Sequence, residues 1–120
     1  MNRIAESMDL LSKREFIKEI KLKYKIHEGD TLYFEIVCQL IDKTKLYIIE
    51  RWKSGKKEGY SYYWVSGKQV LAGWDNKPHH KELSTFPHHV HLKGENKPLE
   101  WKNPDLISII DYIEIRINSK

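Results

Sequence analysis

Cysteine is almost missing from this chain, and the shortage excludes two kinds of architecture at once. With Cys38 alone, neither an intrachain disulfide nor a CxxC metal site can form. Its place in a strand-like apolar row marks it as a small buried hydrophobe. Long apolar runs are missing too. None approaches the roughly 20 residues that span a bilayer, so no membrane helix is expected. The N-terminal stretch MNRIAESMDLLSKRE has acids throughout and no small-residue cleavage site. It does not read as a secretory leader, and the expected location is the cytoplasm. There is no Gly-rich phosphate loop and no paired-carboxylate metal motif, which places nucleotide transfer last among candidate reactions. The surplus of positive charge is small: 21 Lys and Arg against 17 Asp and Glu give +4 with histidines neutral. That balance permits contact with nucleic acid without demanding it.

What is present suffices for one domain, residues 1–120, with its own core: 40% of residues are hydrophobic and 12% aromatic. Ile4, Met8 and Leu11 at i, i+4, i+7 predict an amphipathic helix over residues 3–14. The period then changes to two. Ile20, Leu22, Tyr24 and Ile26 share one face, with Lys21, Lys23, Lys25 and His27 on the other. The lysine row reads as a solvated face guarding an edge strand, with a phosphate-tracking stripe as the alternative. A second strand places Leu32, Phe34, Ile36, Cys38 and Leu40 together. Further strands are predicted at 46–53, 59–65 and 68–74, with a polar loop at Ser54-Gly55-Lys56-Lys57 and a tight turn at Ser66-Gly67. A short sixth strand is plausible at 88–93. Asn103 as N-cap, Pro104 at the first position and Asp105 in the first turn open a closing helix through Leu106, Ile110, Ile113 and Ile117. The expected fold is α+β: a single antiparallel meander sheet of five to six strands, with an N-terminal and a C-terminal helix packed on it.

The functional signal is concentrated in one segment, WDNKPHHKELSTFPHHVH, residues 74–91, which holds five of the six histidines. They are His79, His80, His88, His89 and His91, and each doublet follows a proline, Pro78 or Pro87. Histidine exchanges protons near neutral pH and is the commonest metal ligand. Three readings compete. In the first, all five are candidates for metal-free cleavage of RNA through the 2′-OH, one ring acting as base and one as acid. The working pair would take one histidine from each doublet, His80 with His89 or His91. Lys77, Lys81 and Lys93 are candidates to neutralise the phosphoryl oxygens, and Asp75 also belongs to the substrate-binding set. Trp74, Tyr60 and Tyr62 are candidates to stack bases, with burial in the sheet as the competing role. The second reading is zinc held by His80, His89, His91 and Asp75, with Glu82 as a further ligand candidate; the spacing matches no standard zinc signature. The third is a loop clasp, with histidines bonding backbone groups and Asp75 and Asn76 making Asx turns. If Val90 and Leu92 face the core, His89 and His91 share the other face and His88 turns away.

The segment closely resembles the TumE-like family of toxin components from prokaryotic toxin–antitoxin pairs. The likeness rests on Trp74-Asp75-Asn76, Pro78-His79-His80, Glu82, Thr85-Phe86-Pro87-His88-His89 and His91. Lys77 stands where the family usually has alanine, and Lys81 where it often has proline. With the meander and closing helix, the likeness extends over residues 20–117. The resemblance implies a growth-inhibiting protein neutralised by a cognate antitoxin, commonly one with a helix-turn-helix DNA-binding domain. The lead expectation is a toxin acting as a ribonuclease without a resident cofactor, with RNA as substrate. The alternative is a non-enzymatic toxin that binds nucleic acid or protein through a structural or zinc-holding histidine loop.

Overall fold

The computed structural model describes residues 2–102 and 104–120. The element order is α1 (Arg3–Ser12), β1 (Ile17–Glu28), β2 (Thr31–Leu40), β3 (Lys45–Lys53), β4 (Lys56–Ser66), β5 (Gln69–Asp75), β6 (His89–Leu92), β7 (Leu99–Glu100) and α2 (Leu106–Asn118). All strands pair antiparallel with their sequence neighbours in one seven-stranded sheet. This is the expected α+β meander, extended by β7, a two-residue strand within a stretch read as loop. The polar loop before β4 contracts to a two-residue turn. Ser54 and Gly55 both take positive φ (50° and 78°), the twist that a tight hairpin needs, so Lys56 and Lys57 join the strand. Asn2 caps α1, accepting from the Ile4 and Ala5 amides. Asp105 caps α2 by accepting from the Ser108 amide, while Asn103 lies outside the described residues.

Alternation sorts the sheet into two faces. Phe34, Ile36, Cys38, Leu46, Ile48, Tyr62, Ala72 and Trp74 turn to the helices and are fully buried with Ile109, Ile110 and Ile113. Trp74 meets Tyr112 of α2 edge-on, ring centroids 5.4 Å apart. Just past α1, Arg14 reaches Asp111 and Glu114 within α2 (2.8 and 2.7 Å) and so ties the two helical segments together. In β1 the simple alternation fails. A register shift between Leu22 and Tyr24 turns Tyr24 and Ile26 to the face away from the helices, opposite Glu35 and Tyr33. Lys25 and His27 swing to the helix side, where they line a hollow with Asn2, Arg3, Leu32 and Trp52. The lysines therefore form no single stripe.

One charged network is buried on the helix side. Glu50, 3% exposed, accepts from the Tyr62 hydroxyl and from Trp52 Nε1 at 2.9 Å. Lys57 donates to Tyr62 Oη (2.9 Å) and to the Pro104 carbonyl (2.8 Å), and its Nζ is 3.9 Å from Glu50. Burial pulls the Lys57 ammonium below its ordinary pKa despite the carboxylate. The network joins β3 and β4 to the entry of α2. Glu50→Ala leaves two donors without their acceptor and the half-buried Lys57 without its counter-charge, and is expected to cost about 3–5 kcal/mol. Urea unfolding should show a lower midpoint with an unchanged slope, and Glu50→Gln a smaller loss.

Candidate functional site

The site begins where β5 ends. Asp75 is the last residue of β5 and pairs with His89, the first of β6. Gly73 pairs with His91 two positions on, so both histidines project from the face away from the helices. His88 lies outside the strand and turns elsewhere, as parity requires. The residues between form a loop of turns that holds its own shape. Asp75 Oδ1 accepts the Lys77 amide at 2.9 Å. Asn76 clasps the start of β4, donating to the Glu58 carbonyl (2.8 Å) and accepting the Tyr60 amide (3.1 Å). Thr85 Oγ1 donates to the His88 carbonyl (2.7 Å) and accepts the Trp101 amide (3.1 Å), fixing the return of the chain.

This loop carries His80 over the two strand histidines. The three rings stand nearly at right angles to one another. Their centroids are 4.9 Å apart for His80–His89, 5.7 Å for His80–His91 and 4.9 Å for His89–His91. One nitrogen from each lies within 4.8 Å of the others. His89 is buried (2% exposed), while His80 is half-buried and His91 is exposed. Each nitrogen of His89 faces an oxygen. Nδ1 donates to the Pro87 carbonyl at 3.0 Å, and Nε2 lies 3.1 Å from Asp75 Oδ1. Two lone pairs do not meet at that distance without something positive between them, which is either a proton or a metal ion. His80 Nδ1 is 3.6 Å from the exposed Glu82 carboxylate.

Burial, and then the neighbouring His89, lowers the His91 pKa below the ordinary histidine value. His91 is thereby neutral at pH 7, with a lone pair free to take a proton. His88 is lowered as well, by burial first and then by Lys57 and His89. It stacks on Tyr60, whose hydroxyl lies 3.0 Å from His88 Nδ1. Burial pushes the Tyr60 hydroxyl well up, so it keeps its proton and acts as the donor.

The predicted residues thus separate. His80, His89, His91 and Asp75 come together, whereas His79 stays at the surface and His88 joins Tyr60. Lys77, Lys81 and Lys93 are exposed around the loop. The proposed stacking aromatics do not reach the site. Trp74 and Tyr62 are 0% exposed and Tyr60 is 4% exposed, all packed in the core on the helix side. Within the YSYYW run, the tyrosine that shares the histidine face is Tyr63, which pairs with Gly73. Parity within the YSYYW run carries that signal, since Tyr60, Tyr62 and Trp64 alternate against Ser61 and Tyr63.

Fold and site together define a one-sheet α+β protein whose helix-free face carries a histidine centre braced by a carboxylate. The chain belongs to the Toxin TumE family, whose family model matches residues 7–117. No curated protein and no solved structure matches it. Membership makes it a toxin by family, in agreement with the resemblance of the histidine segment. Among the described residues, no helix is long and apolar enough to cross a membrane.

The depressed values of His88 and His91 have a stability consequence. The unfolded chain binds more protons than the folded one near and just below pH 6.5, so stability rises with pH there. The contribution is complete above that range and is lost as pH falls through the lowered folded values. Ring resonances followed by NMR should show both histidines titrating below the ordinary histidine value. The unfolding midpoint should fall from pH 7 to pH 5, and less steeply in His88→Phe.

Proposed function

We propose that this toxin acts by cleaving RNA at the histidine cluster, without a resident metal ion, and is neutralised by a cognate antitoxin. One observation carries the reading: His80 from the loop meets His91 from β6 above a buried, carboxylate-braced His89. The ring nitrogens lie within 4.8 Å of one another, close enough for His91 and His80 each to reach a different oxygen of one phosphate through a hydrogen bond of about 2.8 Å. His91, neutral and exposed, takes the proton from the ribose 2′-OH. The new O2′–P bond forms as the P–O5′ bond breaks, and His80 gives its proton to the departing O5′. The products are a 2′,3′-cyclic phosphate and a 5′-hydroxyl. His89 is too deeply buried to exchange protons with substrate. With Asp75 it positions the other two rings. Lys77, Lys81 and Lys93 supply positive charge at the rim. By the family likeness, the antitoxin is expected to carry a helix-turn-helix DNA-binding domain.

A second reading is a zinc-like ion held by His80, His89 and His91, with Asp75 adjacent. It is favoured by the Pro87 carbonyl on His89 Nδ1, the kind of partner that orients a ligating imidazole. The nitrogens, now within 4.8 Å, would have to close to roughly 3.3 Å for tetrahedral bonds.

Purified protein with a single-stranded RNA in excess EDTA separates the two. The proposal expects cleavage to persist in EDTA, to fall at least about 100-fold in His80→Ala and His91→Ala, and to be unchanged in His27→Ala. Cleavage lost in EDTA and restored by zinc favours the metal reading. An intact RNA pool in cells arrested by the protein overturns both as ribonuclease mechanisms.

A further inference from the structure

Among the described residues no helix covers the face that carries the histidines, and its residues run in continuous rows across the strands. One row is Lys21, Val37, Tyr47, Tyr63, Gly73 and His91, each paired with the next from β1 to β6. It holds two tyrosines, starts on a cation, ends on the proposed base and contains no carboxylate. Val37, Tyr47 and Tyr63 are only half-buried, although central in a seven-stranded sheet. Lys45, two positions before Tyr47 on β3, adds a second cation to the same face.

Gly73 shows how the row is built. A Cβ placed there would lie 3.2 Å from Tyr63 Cδ1 and 3.4 Å from Cε1. One edge of the Tyr63 ring therefore leans from β4 over the glycine that pairs with His91. Any larger residue at this position would lift the ring. A half-exposed ring, its edge over the register partner of the reacting group, is the kind of surface on which an unpaired base stacks. Paired bases, by contrast, keep their faces in their own stack and cannot use it.

We infer that Tyr63 and Tyr47 form the platform on which single-stranded RNA lies as it enters the histidine site. The inference rests on the ribonuclease reading for its choice of ligand, and it assigns the substrate class and two positioning residues. Tyr63 holds the base nearest the scissile phosphate, and Tyr47, its direct cross-strand partner, holds the next. Lys21 and Lys45 meet the backbone beyond.

The test measures binding without turnover. In the His91→Ala protein, fluorescence anisotropy is read with a labelled single-stranded RNA 12-mer and with the same sequence as a duplex. Tyr63→Ser and Tyr47→Ser are each expected to weaken the single strand at least about fivefold, the low end of the loss for one stacked base. Tyr63→Phe keeps the ring face and should stay within about twofold of the parent. The duplex should bind more weakly and be insensitive to both tyrosines. Thermal midpoints of the variants confirm folding, and Tyr63→Phe serves as the folded control. Single-strand affinity unmoved by both serine changes, or equal affinity for the duplex, overturns the platform. Tyrosine-dependent binding by a protein whose wild type cuts no RNA sustains the platform and overturns the catalytic reading. Cleavage that is indifferent to both tyrosines does the reverse.

Discussion

A carboxylate and an imidazole, both buried, face each other across the β5–β6 ladder, and the geometry of the site depends on that contact. Asp75 and His89 are direct register partners, with Nε2 and Oδ1 3.1 Å apart. A buried carboxylate needs a partner, because removing it from water costs several kcal/mol or more if it stays charged. Asp75 meets this need twice, with the His89 ring and with the Lys77 amide. The first contact sets the β5–β6 register and so places His91 beside Gly73. The second turns the chain out of the sheet into the loop that brings His80 back over both rings. One acid therefore positions three histidines from two elements.

The two faces of the sheet divide the work. One is filled by isoleucines and aromatics under the helices, and a charged network there is tied off by Glu50, Lys57 and Tyr62. That rigid layer fixes the strands from below. The other face keeps tyrosines and the histidine centre at the surface, with only the loop at residues 76–88 over one end. A site built on strand residues moves little, and the part that can adapt to a substrate is the loop bearing His80.

Much of the architecture was readable from period and punctuation. The alternation in β2 to β5 gave the meander and the core rows, and the apolar spacing from Leu106 to Ile117 gave the last helix. Parity at 89–92 correctly placed His89 with His91 and turned His88 away. The limits are equally physical. A strand pattern shows alternation but not a bulge, and the shift after Leu22 reversed which β1 residues faced the helices. Composition showed a tyrosine-rich strand, but only the register told Tyr63 from the buried Tyr60 and Tyr62. The convergence of His80 with His89 and His91 depends on turns and on the Asn76 and Thr85 clasps. No local rule fixes where such a loop closes in space. The family likeness gave the toxin class and left the chemistry to the site.

The proposed chemistry makes the ribose 2′-hydroxyl the nucleophile, with His91 and His80 moving the two protons. The most direct measurement compares an RNA oligonucleotide with its all-2′-deoxy counterpart in the presence of EDTA, with the product ends read by mass spectrometry. The RNA alone is expected to be cleaved, leaving 2′,3′-cyclic phosphate and 5′-hydroxyl ends. Cutting of the deoxy strand, or RNA products carrying a 5′-phosphate, would contradict this chemistry.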